Sequence, residues 1–159
     1  MTISFVDGDI LDGDWDILVQ SVNHQGIMGA GLAKQIATRW PEIVSGYKDF
    51  CNKFTFEDIR RNGFYYFFIL PNNRVVMSIF GQEKFGRDRR YTDYASIATS
   101  LTEIAWWANR MNFGRIAIPY GIGCGLGGGD WAVVFPIVQD AFAYYPNLDV
   151  KIYKYNGIK

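Results

Sequence analysis

A chain of 159 residues with 49% apolar side chains has material for one continuous core, so residues 1–159 are expected to form a single domain. Sixteen basic and sixteen acidic residues cancel, which removes the whole-molecule field that draws proteins onto long nucleic acid and leaves only a local patch open. Two cysteines, Cys51 and Cys124, make no disulfide scaffold; no basic-then-apolar leader is visible, and the longest apolar run, residues 64–71, is far below the roughly 20 residues that span a bilayer. These features predict a cytoplasmic protein with no membrane partner.

Residues 2–6 alternate weakly and residues 17–22 form a near-continuous β-branched run, which predicts an outer strand followed by a buried one, with an aspartate-rich turn between them. A helix is expected over 32–40, and a second from Pro41 to Phe54, because proline is tolerated in a first turn. Residues 64–70 and 74–80 flank Pro71-Asn72-Asn73, a turn-forming triplet that predicts a hairpin or two neighbouring strands. Residues 82–90 read as charged loop. Ile97, Leu101, Ile104 and Trp107 fall on one face of a helix over 93–111 that Thr92 could cap. A strand over 115–118, a helix over 130–144 and a strand over 150–155 close the chain. This order implies a mixed sheet sandwiched between helices.

Seventeen glycines are unevenly placed: three lie in residues 26–31 and six in residues 121–129. Each cluster joins a strand to a helix. Such a junction offers unpaired backbone N–H groups and the positive end of a helix dipole, and it lets a phosphate approach the chain. A tight turn with no ligand is the alternative for either loop alone. Six glycines in nine residues cost backbone entropy on folding, and two such loops at strand C-termini converge on the crevice where open α/β sheets bind ligands. The first loop is neither a Walker loop nor the spaced Rossmann fingerprint.

Residues 6–10 (Val-Asp-Gly-Asp-Ile), 23–33 and 118–131 resemble, in order and spacing, the signatures of the macro domain family. The resemblance is greatest to the branch holding ADP-ribose 1″-phosphate phosphatases, terminal ADP-ribose-protein glycohydrolases and antitoxins that strip ADP-ribose from DNA. It implies an α/β fold, a three-layer α/β/α sandwich with a central mixed sheet, and ADP-ribose or a derivative as ligand, free or carried by a modified macromolecule. It places Asp9 on the adenine amino group, which an acceptor-only carboxylate suits, and Ile10 beside the base. It places Asn23 on the distal ribose near the reacting carbon. Gly29-Ala30-Gly31-Leu32 and Gly121-Ile122-Gly123-Cys124-Gly125-Leu126 line the diphosphate and ribose.

The resemblance leaves catalysis open. Glycohydrolases of this branch use a lysine after the central strand and an aspartate in the second loop; here Gln82 or Glu83 falls at the lysine position, with Lys84 displaced, and Gly127 falls at the aspartate position. If the protein is a hydrolase, Asn23 positions the ribose while Asp130, or a substrate phosphate, activates water; Asp130 reads equally well as a helix cap. A non-catalytic binding module is the alternative. His24 does not inherit the phosphatase histidine, which matches Gln20, and Cys124 has no evident base partner. No cofactor or metal is expected: Asp12-Gly13-Asp14-Trp15-Asp16 looks like a calcium loop, but Asn23 stands where the bidentate glutamate should be. Residues 82–91 could fold over the distal substituent or be a solvated loop, and Tyr153, Tyr155 and Asn156 could flank adenine or simply pack.

Overall fold

The computed structural model describes residues 2–155. Strands β1 (Thr2–Asp7), β2 (Ile17–Asn23), β3 (Tyr65–Ile69), β4 (Val75–Gln82), β5 (Arg115–Pro119) and β6 (Asp149–Lys154) form one sheet in the order β1-β6-β5-β2-β4-β3. β3 is antiparallel to β4, through the expected hairpin, and the other neighbouring pairs are parallel. Five parallel strands therefore end on one edge of the sheet, and both glycine loops leave from that edge.

The sheet is covered on both faces, which is why β2 and β4 read as continuous apolar runs rather than alternating ones. Ile17, Val19, Met77 and Ile79 point into a core closed by helices α4 (Tyr94–Arg110) and α5 (Trp131–Phe142). Leu18, Val22, Val76 and Phe80 point into a second core, closed by α1 (Gly31–Arg39), α2 (Ile43–Lys53) and α3 (Phe56–Asn62). The architecture is the three-layer α/β/α sandwich. Among the described residues, no helix is long and apolar enough to cross a membrane.

Several local expectations change. Three helices, not two, follow the first loop; α3 has a capping box of Thr55 and Asp58 and ends on Gly63 in the left-handed region, but only Ile59 is buried, too little for a periodic signal. α2 begins at Ile43, two residues after Pro41. The cap of α4 is Asp93, which accepts from Ser96 N and pairs with Arg60 at 2.9 Å, and the buried Thr92 is used elsewhere. Gln82 belongs to β4 and not to the loop.

The aspartate-rich turn is a structural corner at the opposite end of β2. Arg115 reaches Asp14 at 2.7 Å and Asp16 at 2.8 Å, while Arg74 stacks on the buried Trp15 ring and donates to Gly13 O and Trp15 O. Burial raises the Asp16 carboxyl, but the hydrogen bonds and charge of Arg115 outweigh it and hold the group below the ordinary aspartate value.

Candidate functional site

The two glycine loops enclose a cavity of about 550 Å³. Its wall combines the end of β2, the first loop and the start of α1, Gln82 and Phe85, and residues 119–127 except Cys124. Among the described residues that line it, none is charged. An anion here is received by backbone and dipole rather than by a cationic side chain.

The first loop supplies a helix N-terminus. Ala30, the N-cap of α1, brings no side-chain hydrogen bond, so the leading N–H groups are left to the cavity that Gly29, Ala30, Gly31 and Leu32 line. The second loop folds on itself, with Cys124 N donating to Gly121 O, Gly128 N to Gly125 O and Gly129 N to Gly123 O. Among the described residues, the N–H groups of Gly123, Gly125 and Leu126 are left out of these turns. Thr92 clamps this loop: its hydroxyl donates to Gly123 O at 2.5 Å and its backbone N–H to Gly127 O.

Asn23 ends β2 in the cavity wall and organises the first loop. Its Nδ2 donates to Ile27 O at 2.8 Å, and its Oδ1 accepts from Gln25 N at 2.9 Å. From beneath, the buried Tyr47 hydroxyl donates to the Asn23 carbonyl at 2.5 Å and lies 3.0 Å from Oδ1. Burial, the leading cause, raises the Tyr47 hydroxyl well above the ordinary tyrosine range, so it remains a proton donor. An amide carries two N–H donors, and Ile27 uses one of them. The second remains for a ligand.

Gln82 is brought opposite Asn23 by a break in register. Val22 pairs with Phe80 and Asn23 pairs with Gln82, which leaves Gly81 as an extra residue in β4. A Cβ on Gly81 would collide with the Ser21 hydroxyl, which would have to turn away to admit any other residue at the bulge. Across the cavity, a Cβ on Gly127 would lie 2.5 Å from both Gln82 Oε1 and Thr92 Oγ1. At the position where the family resemblance expects an aspartate, a side chain would therefore have to displace the Gln82 amide and the Thr92 hydroxyl.

The remaining sequence candidates separate. Asp9 lies beyond the end of β1, capping a 3₁₀ turn through Leu11 N at 3.0 Å, with Ile10 buried behind it; neither belongs to the cavity wall. Cys124 also turns away: burial, then the charge of Asp130, raises its thiol, which sits 3.4 Å from Ile122 O. Asp130 is the cap of α5, accepting from Ala132 N at 2.9 Å, outside the wall. His24 donates through Nε2 to Phe54 O at 2.7 Å and stacks edge-on to Phe80, tying the loop to the end of α2. Tyr153 packs in the second core against Gly13, and Asn156 lies outside the described residues. Ser21, Ile27, Phe85 and Tyr120, which the sequence did not single out, also line the cavity, Phe85 from the segment 82–91 that it offered as a cover or a solvated loop. Tyr120 follows the proline that ends β5 and packs at a tilt against Trp131, ring centroids 4.9 Å apart, a contact visible only in three dimensions.

The α/β/α sandwich, with its two glycine loops at one edge of the sheet, has the macrodomain fold. The chain is 27% identical to a DNA ADP-ribosyl glycohydrolase of Mycobacterium tuberculosis over 98% of its own length and 43% of that protein. Its structure superimposes on the macrodomain of Mycobacterium tuberculosis DarG with a TM-score of 0.82 at 27% identity, covering 96% of this chain and 97% of that one. Thermosipho africanus DarTG in complex with ADP-ribose shares the fold, with a TM-score of 0.79 at 24% identity over 96% of this chain and 41% of that one. The chain thus spans less than half the length of the curated relatives it matches. No protein-family model matches it.

Proposed function

We propose that the cavity binds the ADP-ribose moiety and that the chain hydrolyses a bond at its distal ribose, the substrate being ADP-ribosylated DNA. One observation carries the binding reading: two loops bring uncommitted N–H groups and a helix N-terminus to a single cavity whose wall is uncharged. The diphosphate lies between α1 and the second loop, the distal ribose at Asn23, and the adenine toward Asp9 and Ile10. The hydrolytic reading draws on the DNA ADP-ribosyl glycohydrolases to which the chain is similar.

Among the described residues, the wall offers no carboxylate, imidazole or amine to activate water. A phosphate of the substrate is therefore the proposed base, with Asn23 and the second loop fixing the ribose for attack. That same uncharged wall favours a second reading, a non-catalytic ADP-ribose binder. Incubation with an oligonucleotide carrying ADP-ribose on one base separates the two: release of free ADP-ribose establishes hydrolysis, and saturable binding with no release establishes the binder.

A further inference from the structure

Residues 83–91 follow β4 and form neither helix nor strand, yet both of their ends are fastened to the glycine loops. At one end the Glu83 carbonyl accepts from His24 N at 2.9 Å and from Gln25 Nε2 at 3.2 Å, both in the first loop. At the other, Tyr91 N and Thr92 N donate to Gly127 O in the second loop, and the backbone of Arg89 and Arg90 lies beside Gly128. A bridge between Gln82 and Thr92 closes the base. The segment therefore arches from one loop to the other, and from it Phe85, 51% exposed, reaches the cavity wall.

The arch is cationic where the cavity is neutral. It carries Lys84, Arg87, Arg89 and Arg90 against Glu83 and Asp88, all exposed and all outside the wall. The Tyr91 hydroxyl donates to Asp88 Oδ1 at 2.5 Å. Among the described residues none of the four cations makes an ion pair, whereas Arg39, Arg60 and Arg115 are each held by a carboxylate. Two of the four are braced by rings: the Arg89 guanidinium stands 4.9 Å from the centre of Tyr91, and that of Arg90 4.6 Å from the centre of Tyr94. A guanidinium held by its face keeps its N–H edge free, and that edge matches a phosphate bidentately.

We infer that this arch binds the sugar-phosphate backbone of single-stranded DNA flanking the modified base. The inference rests on the ADP-ribose reading and adds a second contact surface, for the part of the substrate that stays outside the cavity. A base whose bond is cleaved in the cavity cannot remain stacked in a duplex, so the strand beside it is open as well. Its phosphates meet the four cations, and the exposed face of Phe85 offers a platform for a neighbouring base; cations interleaved with aromatic rings are how single strands are held. Four cations without acidic partners favour a polyanion over a peptide of mixed charge. Because the chain as a whole is neutral, the arch alone holds DNA weakly, and ADP-ribose in the cavity is the anchor.

The test compares free ADP-ribose, a short single-stranded oligonucleotide carrying ADP-ribose on one base, and a peptide carrying ADP-ribose. Each is titrated against the wild-type chain, the triple variant Arg87→Gln/Arg89→Gln/Arg90→Gln, and Arg87→Lys/Arg89→Lys/Arg90→Lys. Free ADP-ribose is read by calorimetry; the other two are read by release of ADP-ribose, or by fluorescence anisotropy if nothing is released, over a range of salt. The glutamine variant should raise half-saturation by the oligonucleotide about 10- to 50-fold at low salt and flatten its logarithmic salt dependence by about 2, since each phosphate contact on a single strand contributes about 0.7. Free ADP-ribose and the peptide should shift less than about threefold, and the lysine variant should keep most of the salt dependence. Unchanged half-saturation by the oligonucleotide would overturn the inference. Equal weakening of free ADP-ribose would overturn it by placing the arginines on the nucleotide or on loop structure, and equal weakening of the peptide by removing the preference for DNA. A lysine variant as weak as the glutamine one would show that packing, not charge, is at work, and would overturn it too. Wild-type failure to bind free ADP-ribose is a separate outcome, which removes the parent reading and this one with it.

Discussion

Tyr47→Phe removes one oxygen from the buried floor beneath Asn23 and tests whether the first loop is set from below. The hydroxyl has a single proton, aimed at the Asn23 carbonyl at 2.5 Å, with Oδ1 at 3.0 Å. Losing that bond costs about 0.5–1.5 kcal/mol net, and the half-buried Asn23 carbonyl is left short of a partner, so the total is about 1–2 kcal/mol. For a chain of this size that lowers the melting temperature by roughly 2–8 °C. The bonds from Asn23 Nδ2 to Ile27 and from Gln25 N to Oδ1 survive, so the loop loosens without collapsing. ADP-ribose affinity should fall about 3- to 10-fold, less than in Asn23→Ala, which removes the ligand contact as well. Thermal unfolding and calorimetric titration read the two quantities separately. Unchanged melting temperature together with unchanged affinity would refute the coupling of Tyr47 to the site.

Asp130→Ala should cost about 1 kcal/mol through loss of the α5 cap and leave turnover of an ADP-ribosylated oligonucleotide intact; a rate loss beyond about 100-fold would restore Asp130 as the base. Gly127→Ala should destabilise by about 1–3 kcal/mol, because the new methyl displaces Gln82 and the Thr92 clamp; wild-type stability in thermal unfolding would contradict that packing. Asp16→Asn should destabilise at pH 7 by about 0.5–1 kcal/mol, since its pairing with Arg115 is largely solvent-screened. The folded carboxyl lies below the ordinary value of 3.8, so the wild-type advantage is fully present above that pH and fades as pH falls through the folded value. A deficit with no dependence on pH anywhere below 3.8 would show that charge is not its origin.

The three-layer order was legible because β2, β4 and the face of α4 carry strong local patterns: a near-continuous β-branched run, a hairpin triplet, and apolar residues at helical spacing. α3 was not legible, since a seven-residue helix with one buried anchor leaves no period to read. Both glycine loops announced themselves by composition, and Asn23 by the family resemblance of the loop it opens. The register shift at Gly81 did not, because it depends on the Ser21 hydroxyl across the sheet, and with it went the pairing of Gln82 with Asn23. For Asp130 the sequence left a cap and a catalytic group equally open; the bond to Ala132 N shows the cap, and its place outside the wall is a three-dimensional fact.

Calorimetric titration of the wild-type chain with ADP-ribose tests the central claim most directly. The paired loops predict saturable binding near one to one, with a dissociation constant on the order of 10 µM or tighter, corresponding to about 7 kcal/mol or more. Absence of measurable heat or saturation at several hundred micromolar ADP-ribose would contradict it.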